Sequence, residues 1–141
     1  MISSSNKLID FKSMGDARGS LIALEKEHNV PFDIKRVYYI FDTTEGVRRG
    51  FHAHKNLKQL AICVKGGCKF LLDDGFNKHI YHLDAPTKGL YIEGLVWREM
   101  FDFSPDCVLM VLADAYYDEA DYIRSYQDFT IAINKLKNEV K

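Results

Sequence analysis

Short stretches of alternating or continuous apolar residues follow one another along most of this 141-residue chain, and Gly, Pro, Asp or Asn bounds each of them. Runs of this length and pattern are typical of β-strands. So many short strands favour an all-β sandwich or barrel, which curls and so limits its open sheet edges. The predicted strands are residues 20–25, 34–41, 50–54, 57–64, 69–73, 76–83, 89–92, 96–103 and 107–113.

Two local patterns add a turn and a helix. The sequence Asp-Asp-Gly at residues 73–75 separates two alternating runs and predicts a hairpin, because Gly accepts the positive φ that such turns need. Near the C-terminus the spacing of apolar residues becomes helical, which predicts one amphipathic helix packed on the barrel or on a partner subunit. Its apolar stripe, which we assign to packing rather than ligand binding, consists of Tyr122, Tyr126, Phe129, Ile133, Leu136 and Val140.

Length, charge and cysteine content limit the class of protein. A chain of 141 residues suits one domain, residues 1–141, with its own core. The net charge of −1 gives no basic field for nucleic acid, and no apolar run approaches the ~20 residues that span a bilayer. The N-terminus has no apolar signal segment, and three cysteines, an odd number, do not suit a disulfide framework. We therefore expect a cytoplasmic protein with free thiols and no nucleic-acid or membrane partner.

The most informative stretch for function lies between residues 46 and 59, where two histidines stand two places apart in a predicted strand. Side chains at i and i+2 of a strand point to the same face, so His52 and His54 should enter one space together. Arg48, Arg49 and Lys55 flank the pair and suit an anionic ligand. The pair is therefore predicted either to hold a metal or to move protons.

A metal site is the weaker of these two predictions. Residues 46–66 follow the spacing of the first cupin motif, but Gln59 stands where cupins usually carry a metal-binding Glu. A neutral amide is a poorer ligand for a divalent ion than a carboxylate. In the best alignment of the second motif, Met100 falls where another histidine should be. Two histidines are fewer than the three or so protein ligands of a catalytic zinc or iron site, so we expect no metal.

Two alternatives stand beside proton transfer. Glu99 or His79 could complete a metal site, and the two histidines could instead be satisfied core residues. Burying two unpaired imidazoles is costly, which favours a functional role. An imidazole takes and returns protons near neutral pH, and a second one can steady a developing oxyanion. Removing a proton from a carbon beside a carbonyl needs both tasks.

Six motifs, taken in order, extend over nearly the whole chain. They are Asp-Ala-Arg-Gly-Ser-Leu at 16–21, Lys-Arg-Val-Tyr-Tyr-Ile-Phe at 35–41, Arg-Gly-Phe-His-Ala-His-Lys at 49–55, Leu-Asp-Asp-Gly at 72–75, Val-Trp-Arg-Glu-Met at 96–100 and Tyr-Tyr-Asp-Glu-Ala-Asp-Tyr-Ile-Arg at 116–124. Together they resemble the sugar 3,4-ketoisomerases, a family of the cupin superfamily that acts on dTDP-4-keto-6-deoxy-D-glucose.

The resemblance implies a fold and a reaction. The fold is a small cupin-type jelly-roll barrel, forming a homodimer in which the N-terminal strands can be exchanged between subunits. The reaction needs no metal or other cofactor and moves the keto group of the dTDP-linked 4-keto-6-deoxyhexose from C4 to C3. Its product would feed synthesis of 3-amino-3,6-dideoxyhexoses for bacterial surface glycans such as O-antigens.

Within this resemblance, three residues receive catalytic roles. His52 takes the C3 proton of the 4-keto sugar to give an enediol or enediolate, and a proton returns at C4. His54 binds or polarises the sugar oxygens and helps to shuttle the hydroxyl proton. Tyr38, on the strand face of Arg36, is an auxiliary acid or hydrogen-bond donor.

The remaining candidates bind substrate. Arginine and lysine suit the diphosphate, and the candidates are Arg18, Arg36, Arg49 and Lys55. Tyr91 or Trp97 could stack on thymine, although Trp97 is equally suited to barrel packing. Arg98 can only donate hydrogen bonds or hold charge, since it stays protonated. Glu99 could bond a sugar hydroxyl or neutralise Arg98.

Three other functions stay open from the sequence. A dTDP-sugar 3,5-epimerase uses the same fold and base chemistry, a non-catalytic cupin would bind a nucleotide sugar without reaction, and a metal-dependent cupin would need an ion. Many members of the family carry His where this chain has Arg98. We therefore leave the C4 configuration of the product, galacto-like or gluco-like, unassigned.

Overall fold

The structure is a computed structural model that describes residues 6–139, so Val140 of the predicted stripe lies outside the described residues. Strands dominate the chain, and one α-helix, α1 (Tyr126–Glu139), follows them. The strands are β1 (Lys7–Asp10), β2 (Met14–Asp16), β3 (Gly19–Leu21), β4 (Arg36–Ile40), β5 (Arg49–His54), β6 (Gln59–Lys65), β7 (Cys68–Asp73), β8 (Lys78–Leu83), β9 (Lys88–Ile92), β10 (Trp97–Phe101), β11 (Val108–Ala113) and β12 (Tyr122–Ile123).

Two five-stranded antiparallel sheets form the body of the fold. One has the order β1-β9-β6-β11-β4, the other the order β12-β5-β10-β7-β8, and β2 pairs only with β3 in a separate hairpin. Apolar side chains of both sheets, such as Leu90 and Leu109 from the first and Phe70 and Leu72 from the second, meet in one buried cluster. Burial of this shared face between the sheets is the main force that closes the sandwich. The structure confirms the all-β, cupin-type jelly roll and the C-terminal helix predicted above.

The prediction for residues 20–25 is wrong over most of its length. Strand β3 ends at Leu21, and the residues that follow form no strand. The Asn29 side chain holds them instead, since its amide nitrogen donates to the Ala23 carbonyl and its oxygen accepts from the Glu25 amide, both at 2.8 Å. A side chain that bonds nearby backbone groups competes with strand pairing. Strands β1 and β2 were absent from the prediction because they are short and mostly exposed.

The helix covers the outer face of the sheet that contains β5 and β10. Phe129 and Ile133 of α1 pack with Ala53 of β5 and Trp97 of β10. The helix begins after Ser125, whose hydroxyl accepts a hydrogen bond from the Asp128 amide at 3.3 Å, as expected of an N-cap. Among residues 6–139 no helix is long and apolar enough to cross a membrane.

The predicted hairpin at residues 73–75 is present and joins β7 to β8. Gly75 has φ +88, and the Asp73 carboxylate accepts its amide at 2.9 Å. A Cβ atom built on Gly75 would lie 2.3 Å from Cγ2 of Ile133. The turn therefore needs Gly for its backbone conformation and also for its contact with the helix.

The variant Gly75→Ala should lose more stability than a matched glycine variant. Gly94 has φ +79 and no atom within 4 Å of a built Cβ, so Gly94→Ala should lower the free energy of unfolding by about 1–2 kcal/mol, the backbone cost alone. Gly75→Ala should lose a further ~1–3 kcal/mol from overpacking against Ile133. Urea unfolding of both variants measures the difference. Equal losses would contradict the close packing of turn and helix.

Candidate active site

A β-bulge in β5 directs two histidines into the space between the sheets. Opposite β10, His52 pairs with Arg98 and Gly50 pairs with Glu99, so Phe51 is the extra residue. Gly50 and Phe51 both have positive φ, +93 and +57. Such a bulge re-aims the side chains that follow it.

His52 and His54 occupy the same space, as predicted. Their ring centroids lie 4.9 Å apart with the rings nearly perpendicular. Ala53, between them in sequence, points the other way and packs under α1. The ring of Tyr122 contacts both imidazoles, with centroid distances of 5.0 Å to His52 and 4.3 Å to His54.

Hydrogen bonds fix the orientation of both imidazoles. Nδ1 of His54 lies 3.0 Å from Oδ2 of Asp121, and the other oxygen of that carboxylate accepts the Asn56 amide at 2.8 Å. Nδ1 of His52 lies 3.1 Å from the Gly50 carbonyl oxygen. Both partners are acceptors, so Nδ1 carries the proton in each ring and Nε2 is the basic nitrogen. Nε2 of His54 is buried and has no hydrogen-bond partner within the part of the chain that the structure describes.

Both imidazoles are held neutral. Burial lowers the pKa of His52 to about 4 and that of His54 to about 2, and the nearby charge of Arg98 adds to the effect in both cases. At neutral pH each ring therefore carries an unprotonated nitrogen. That is the protonation state that a general base needs.

A buried hydrogen-bonded chain crosses between the two sheets beside the histidines. Arg98 of β10 donates to the Gln59 side-chain oxygen and, at 3.1 Å, to the Val96 carbonyl. The Gln59 amide nitrogen in turn donates to the hydroxyl of Tyr38, on β4, at 2.9 Å. Burial lowers the pKa of Arg98 to about 10 and raises that of Tyr38, so both groups keep their protons at neutral pH.

Gln59, which stands at the cupin ligand position, is a poor metal ligand in this hydrogen-bonded environment. Its oxygen faces a guanidinium cation, which repels a metal ion. Residues 6–139 contain one group of three His, Cys, Asp or Glu side chains with metal-ligand spacing, formed by Cys63, Cys68 and Cys107. The histidines are not part of it.

A cleft of about 240 Å³ opens on His54. Arg36 lines it with a buried Nε that has no hydrogen-bond partner among residues 6–139, and its guanidinium carbon lies 5.5 Å from the centroid of the Tyr38 ring. Arg36 is thus a cation available to an anionic ligand. Asp121 and Tyr122 also line the cleft.

Charged and aromatic contacts within residues 117–124 hold the segment that carries Tyr122 in place. The guanidinium of Arg124 lies over the Tyr122 ring at 4.2 Å and pairs with Glu119 at 2.7 Å. This pairing lowers the pKa of Glu119 to about 2. Tyr117 also donates to Glu119, at 2.9 Å.

The structure brings only some of the predicted site residues together. His52, His54, Tyr38, Arg36 and Arg98 converge on the cleft and the adjoining interior. Five other candidates lie elsewhere, and Lys55 at the margin of the site donates to the Ala120 carbonyl at 3.0 Å. Those five are Arg18, Arg49, Tyr91, Trp97 and Glu99.

Three of these five candidates contact residues outside the cleft. Trp97 packs against α1, and its indole nitrogen donates to Glu99 at 3.0 Å. Glu99 pairs with Arg48 at 2.8 Å on that same outer face. Tyr91 stacks on Phe32 at 6.2 Å. Packing is therefore the observed role of Trp97, and contact with thymine stays a prediction for both rings.

Two outlying arginines are exposed. Arg18 lies in the β2–β3 hairpin and pairs with Asp16 at 2.5 Å. Arg49 stands at the start of β5, before the bulge, and pairs across the sheet with Met100. Neither Arg18 nor Arg49 lines the cleft, so their phosphate-binding roles stay predictions.

Sequence reasoning missed Asp121 and Tyr122 as site residues. Both belong to the motif at 116–124, but 67 positions separate Asp121 from His54. Tyr122 fitted the helical spacing of the C-terminal stripe, yet it lies in β12, where it pairs with His54. Placing Tyr122 in the helical stripe is therefore wrong. The Asp in that motif was the available signal, because a histidine in a proton-transfer site often has a carboxylate partner.

Comparison with known proteins identifies the family. Residues 4–134 match the family model described as FdtA: WxcM-like, C-terminal. A TDP-4-oxo-6-deoxy-alpha-D-glucose-3,4-oxoisomerase from Aneurinibacillus thermoaerophilus is 55% identical over 134 residues, which cover 95% of this chain and 96% of that protein. The chain belongs to the sugar 3,4-ketoisomerase family.

Solved structures of this family agree in sequence and in fold. A 3,4-ketoisomerase from Helicobacter canadensis is 45% identical with a TM-score of 0.91, covering 94% of this chain and 99% of the other. A histidine-to-asparagine mutant of the 3,4-ketoisomerase QdtA from Thermoanaerobacterium thermosaccharolyticum, in complex with TDP-4-keto-6-deoxyglucose, is 46% identical with a TM-score of 0.91 and coverage of 96% and 97%. A 3'-monoepimerase from Streptomyces bikiniensis is 18% identical with a TM-score of 0.72 over 86% of this chain and 70% of the other, and shares the fold alone.

The low histidine pKa values predict how stability depends on pH. An unfolded histidine takes up a proton near pH 6.5, whereas folded His52 does so only near pH 4. Between these values protonation favours the unfolded chain. The contribution of each such histidine to the free energy of unfolding is therefore fully present above pH 6.5. It falls as the pH drops, by up to about 1.4 kcal/mol per pH unit for each histidine. The variant His52→Asn should show a shallower fall between pH 6.5 and 4. Urea unfolding of both proteins across this range tests this, and identical slopes would contradict the assignment.

Proposed function

We propose that this chain converts dTDP-4-keto-6-deoxy-D-glucose to the dTDP-3-keto-6-deoxyhexose by metal-free acid–base proton transfer. The observation that carries the proposal is the pair of neutral imidazoles, 4.9 Å apart and each held by its Nδ1. Beside them is a cleft lined by Arg36, whose Nε has no hydrogen-bond partner among residues 6–139. The names of the relatives support the same reaction, and a QdtA mutant binds TDP-4-keto-6-deoxyglucose. In this chain such a ligand would meet a base and a cation together.

The reaction proceeds through an enediol in this proposal. Nε2 of His52 removes the proton from C3, and the electron pair of the broken bond forms a C3–C4 double bond while the C4 carbonyl becomes an oxyanion. The C3 hydroxyl then loses its proton as the C3 carbonyl forms, and C4 receives a proton. His54 binds the sugar oxygens and carries the hydroxyl proton between them, so that no hydrogen is gained or lost overall.

Neighbouring groups supply the charge and the hydrogen bonds that the enediolate needs. The Tyr38 hydroxyl accepts from Gln59, so its own proton is free to be donated to a sugar oxygen. The raised pKa of Tyr38, which follows from burial, keeps that proton in place at neutral pH. The buried positive charge of Arg98 stabilises an adjacent oxyanion more strongly than a solvated cation would.

Basic side chains near the cleft would bind the diphosphate, and the exposed hairpin that carries Arg18 would contact a second subunit. Arg36 is the first candidate for the diphosphate, with Lys55 near the same cleft. The β2–β3 hairpin of Arg18 is exposed over its whole length, as suits a segment that reaches across a homodimer. In such a dimer, with exchanged N-terminal strands, Arg18 would contribute to the partner subunit's site.

The proposed product has a ketone at C3, the group that an aminotransferase needs to install a C3 amine. We therefore place the reaction before amination in the synthesis of 3-amino-3,6-dideoxyhexoses for bacterial surface glycans. The nucleotide-linked substrate is consistent with a cytoplasmic location.

The variant His52→Asn tests the base. Proton NMR of dTDP-4-keto-6-deoxyglucose in deuterated water with a chelator present should show a 3-keto product, deuterium at C4 and an unchanged C5 for the wild-type chain. Turnover by the variant should fall by about 10²–10⁴-fold, the usual contribution of a general base. Full turnover with normal deuterium uptake by the variant would remove His52 from this role. Inversion at C5 would indicate the epimerase alternative, and binding without exchange would indicate a non-catalytic protein.

The variant Asp121→Asn tests the positioning of His54. An amide can still occupy the space, but it no longer favours a proton on Nδ1 of His54, so kcat should fall by about 10–100-fold with little change in KM. Asp114→Asn is the matched control, since Asp114 also lines the cleft but its carboxylate accepts from the Lys58 amide, at 3.0 Å, and not from a histidine. Nitrogen NMR of the imidazoles reports the tautomer directly. An unchanged tautomer and unchanged kcat in Asp121→Asn would contradict the role.

A further inference from the structure

Three buried thiols form a cluster that the proposed reaction does not use. Sγ of Cys63 lies 3.5 Å from Sγ of Cys68 and 3.8 Å from Sγ of Cys107, and all three sulfurs lie within 4.8 Å of one another. Cys63 stands four residues after Gln59 on β6, which is on the order of 13 Å along a strand. The cluster is thus at the other end of the barrel from the histidines.

The sulfur spacing suits one central ion. Three sulfurs that each lie about 2.3 Å from an ion in their plane are about 4.0 Å apart, given the metal–sulfur distance of thiolate sites. The observed separations of 3.5 and 3.8 Å, with the third no longer than 4.8 Å, need to change by only a few tenths of an ångström to about 0.8 Å to reach that value. The three sulfurs therefore already lie near the spacing that one central ion requires.

The composition of the cluster selects the kind of ion. All three cysteines are at most 2% exposed, in the apolar core between the sheets. Within residues 6–139 no His, Asp or Glu side chain joins the group. Zinc in structural sites is almost always four-coordinate, whereas soft thiolates alone favour Cu(I). We propose that Cys63, Cys68 and Cys107 form a three-coordinate site for a soft monovalent metal ion of the Cu(I) type.

Two hydrogen-bonded turns cover the cluster and offer a route to it. Gly66 and Gly67 connect Cys63 to Cys68 across the two sheets, and Ser104 begins the turn that leads into Cys107. The Gly67 amide donates to the Ser104 hydroxyl at 2.9 Å, and the Ser104 amide donates to the Gly67 carbonyl at 2.9 Å. The glycines bring no side chain over the sulfurs, so a local opening of these turns admits an ion.

Binding exchanges protons for the metal. The hydrogen bond to Cys68, together with burial, raises the pKa of Cys63, and burial, together with the neighbouring Cys63, raises that of Cys107, so these two groups are thiols in the free chain. Each thiol that becomes a thiolate ligand releases its proton to solvent, so binding of one monovalent ion by three thiolates releases three protons and leaves the site with a net charge of −2. No electrons are transferred in this step.

The bound ion would connect the two sheets. Cys63 belongs to β6 in one sheet and Cys68 to β7 in the other, while Cys107 lies just before β11. An ion that binds this arrangement only in the folded chain stabilises it in proportion to the logarithm of ion concentration over Kd. The melting temperature should therefore rise on loading, while ketoisomerase turnover stays unchanged.

Anaerobic titration of the full chain with Cu(I), supplied as its acetonitrile complex, tests the proposal. We expect near-ultraviolet thiolate-to-copper absorption that saturates at one equivalent and persists against bicinchoninate, and X-ray absorption showing three sulfur neighbours at about 2.3 Å. Nitrogen or oxygen neighbours, or loss of all copper to the competitor, would overturn the site. This measurement needs no variant.

Variants locate the binding. Cys63→Ser and Cys107→Ser should each lower Cu(I) affinity by roughly 100-fold or more, since a lost ligand costs at least as much as a lost outer-shell partner. His52→Asn and the exposed-site variant His79→Ala should leave Cu(I) affinity unchanged. Equal affinity in the folded Cys63→Ser protein, or loss of binding in His52→Asn, would contradict the assignment. Because copper binding and sugar turnover are measured separately, failure of one leaves the other intact.

Discussion

The buried guanidinium of Arg98 is the interaction on which the site depends. Arg98 extends from β10 in one sheet to Gln59 on β6 in the other, and through Gln59 to Tyr38 on β4. Its charge adds to burial in lowering the pKa of both histidines. A buried charge is costly without hydrogen bonds; the Gln59 and Val96 oxygens accept from Arg98, while its Nε has no hydrogen-bond partner among residues 6–139. The same group therefore joins the sheets, adds to burial in keeping the imidazoles neutral and binds the Gln59 oxygen, which stands at the position of a cupin metal ligand.

The two faces of β5 and β10 have different roles: the outer face packs against the helix, and the inner face carries residues of the site. On the outer face, Ala53 and Trp97 pack beneath α1 and contribute apolar burial. On the inner face, His52 and Arg98 stand opposite each other in register. Because a strand alternates its side chains, one short stretch of sequence serves both purposes. The helix thus holds in place the sheet that carries the histidines, without contributing a side chain to the cleft.

The sequence was sufficient for those features that depend on local pattern. Alternation located strands such as β6 and β7, the Asp-Asp-Gly turn located the β7–β8 hairpin, and the spacing of His52 and His54 predicted their common face. Features that depend on contacts distant in sequence escaped it. Asp121 reaches His54 only through the pairing of β12 with β5, and Trp97 adjoins Arg98 in sequence yet faces the opposite side. The residue types indicated proton-transfer chemistry, but only the fold shows in which direction each side chain points.

The bulge at Gly50 and Phe51 limits how β5 can vary in length. A change of one residue in a strand turns every following side chain to the other face. With the chain up to Gly50 held in place, removal of the extra residue Phe51 would turn His52 and His54 toward α1 and Ala53 toward the cleft. Single-residue insertions and deletions should therefore be excluded from β5 between the bulge and His54, whereas the exposed loop before it can change length freely. The number of residues in this short strand is therefore as much a requirement of the site as the identity of its histidines.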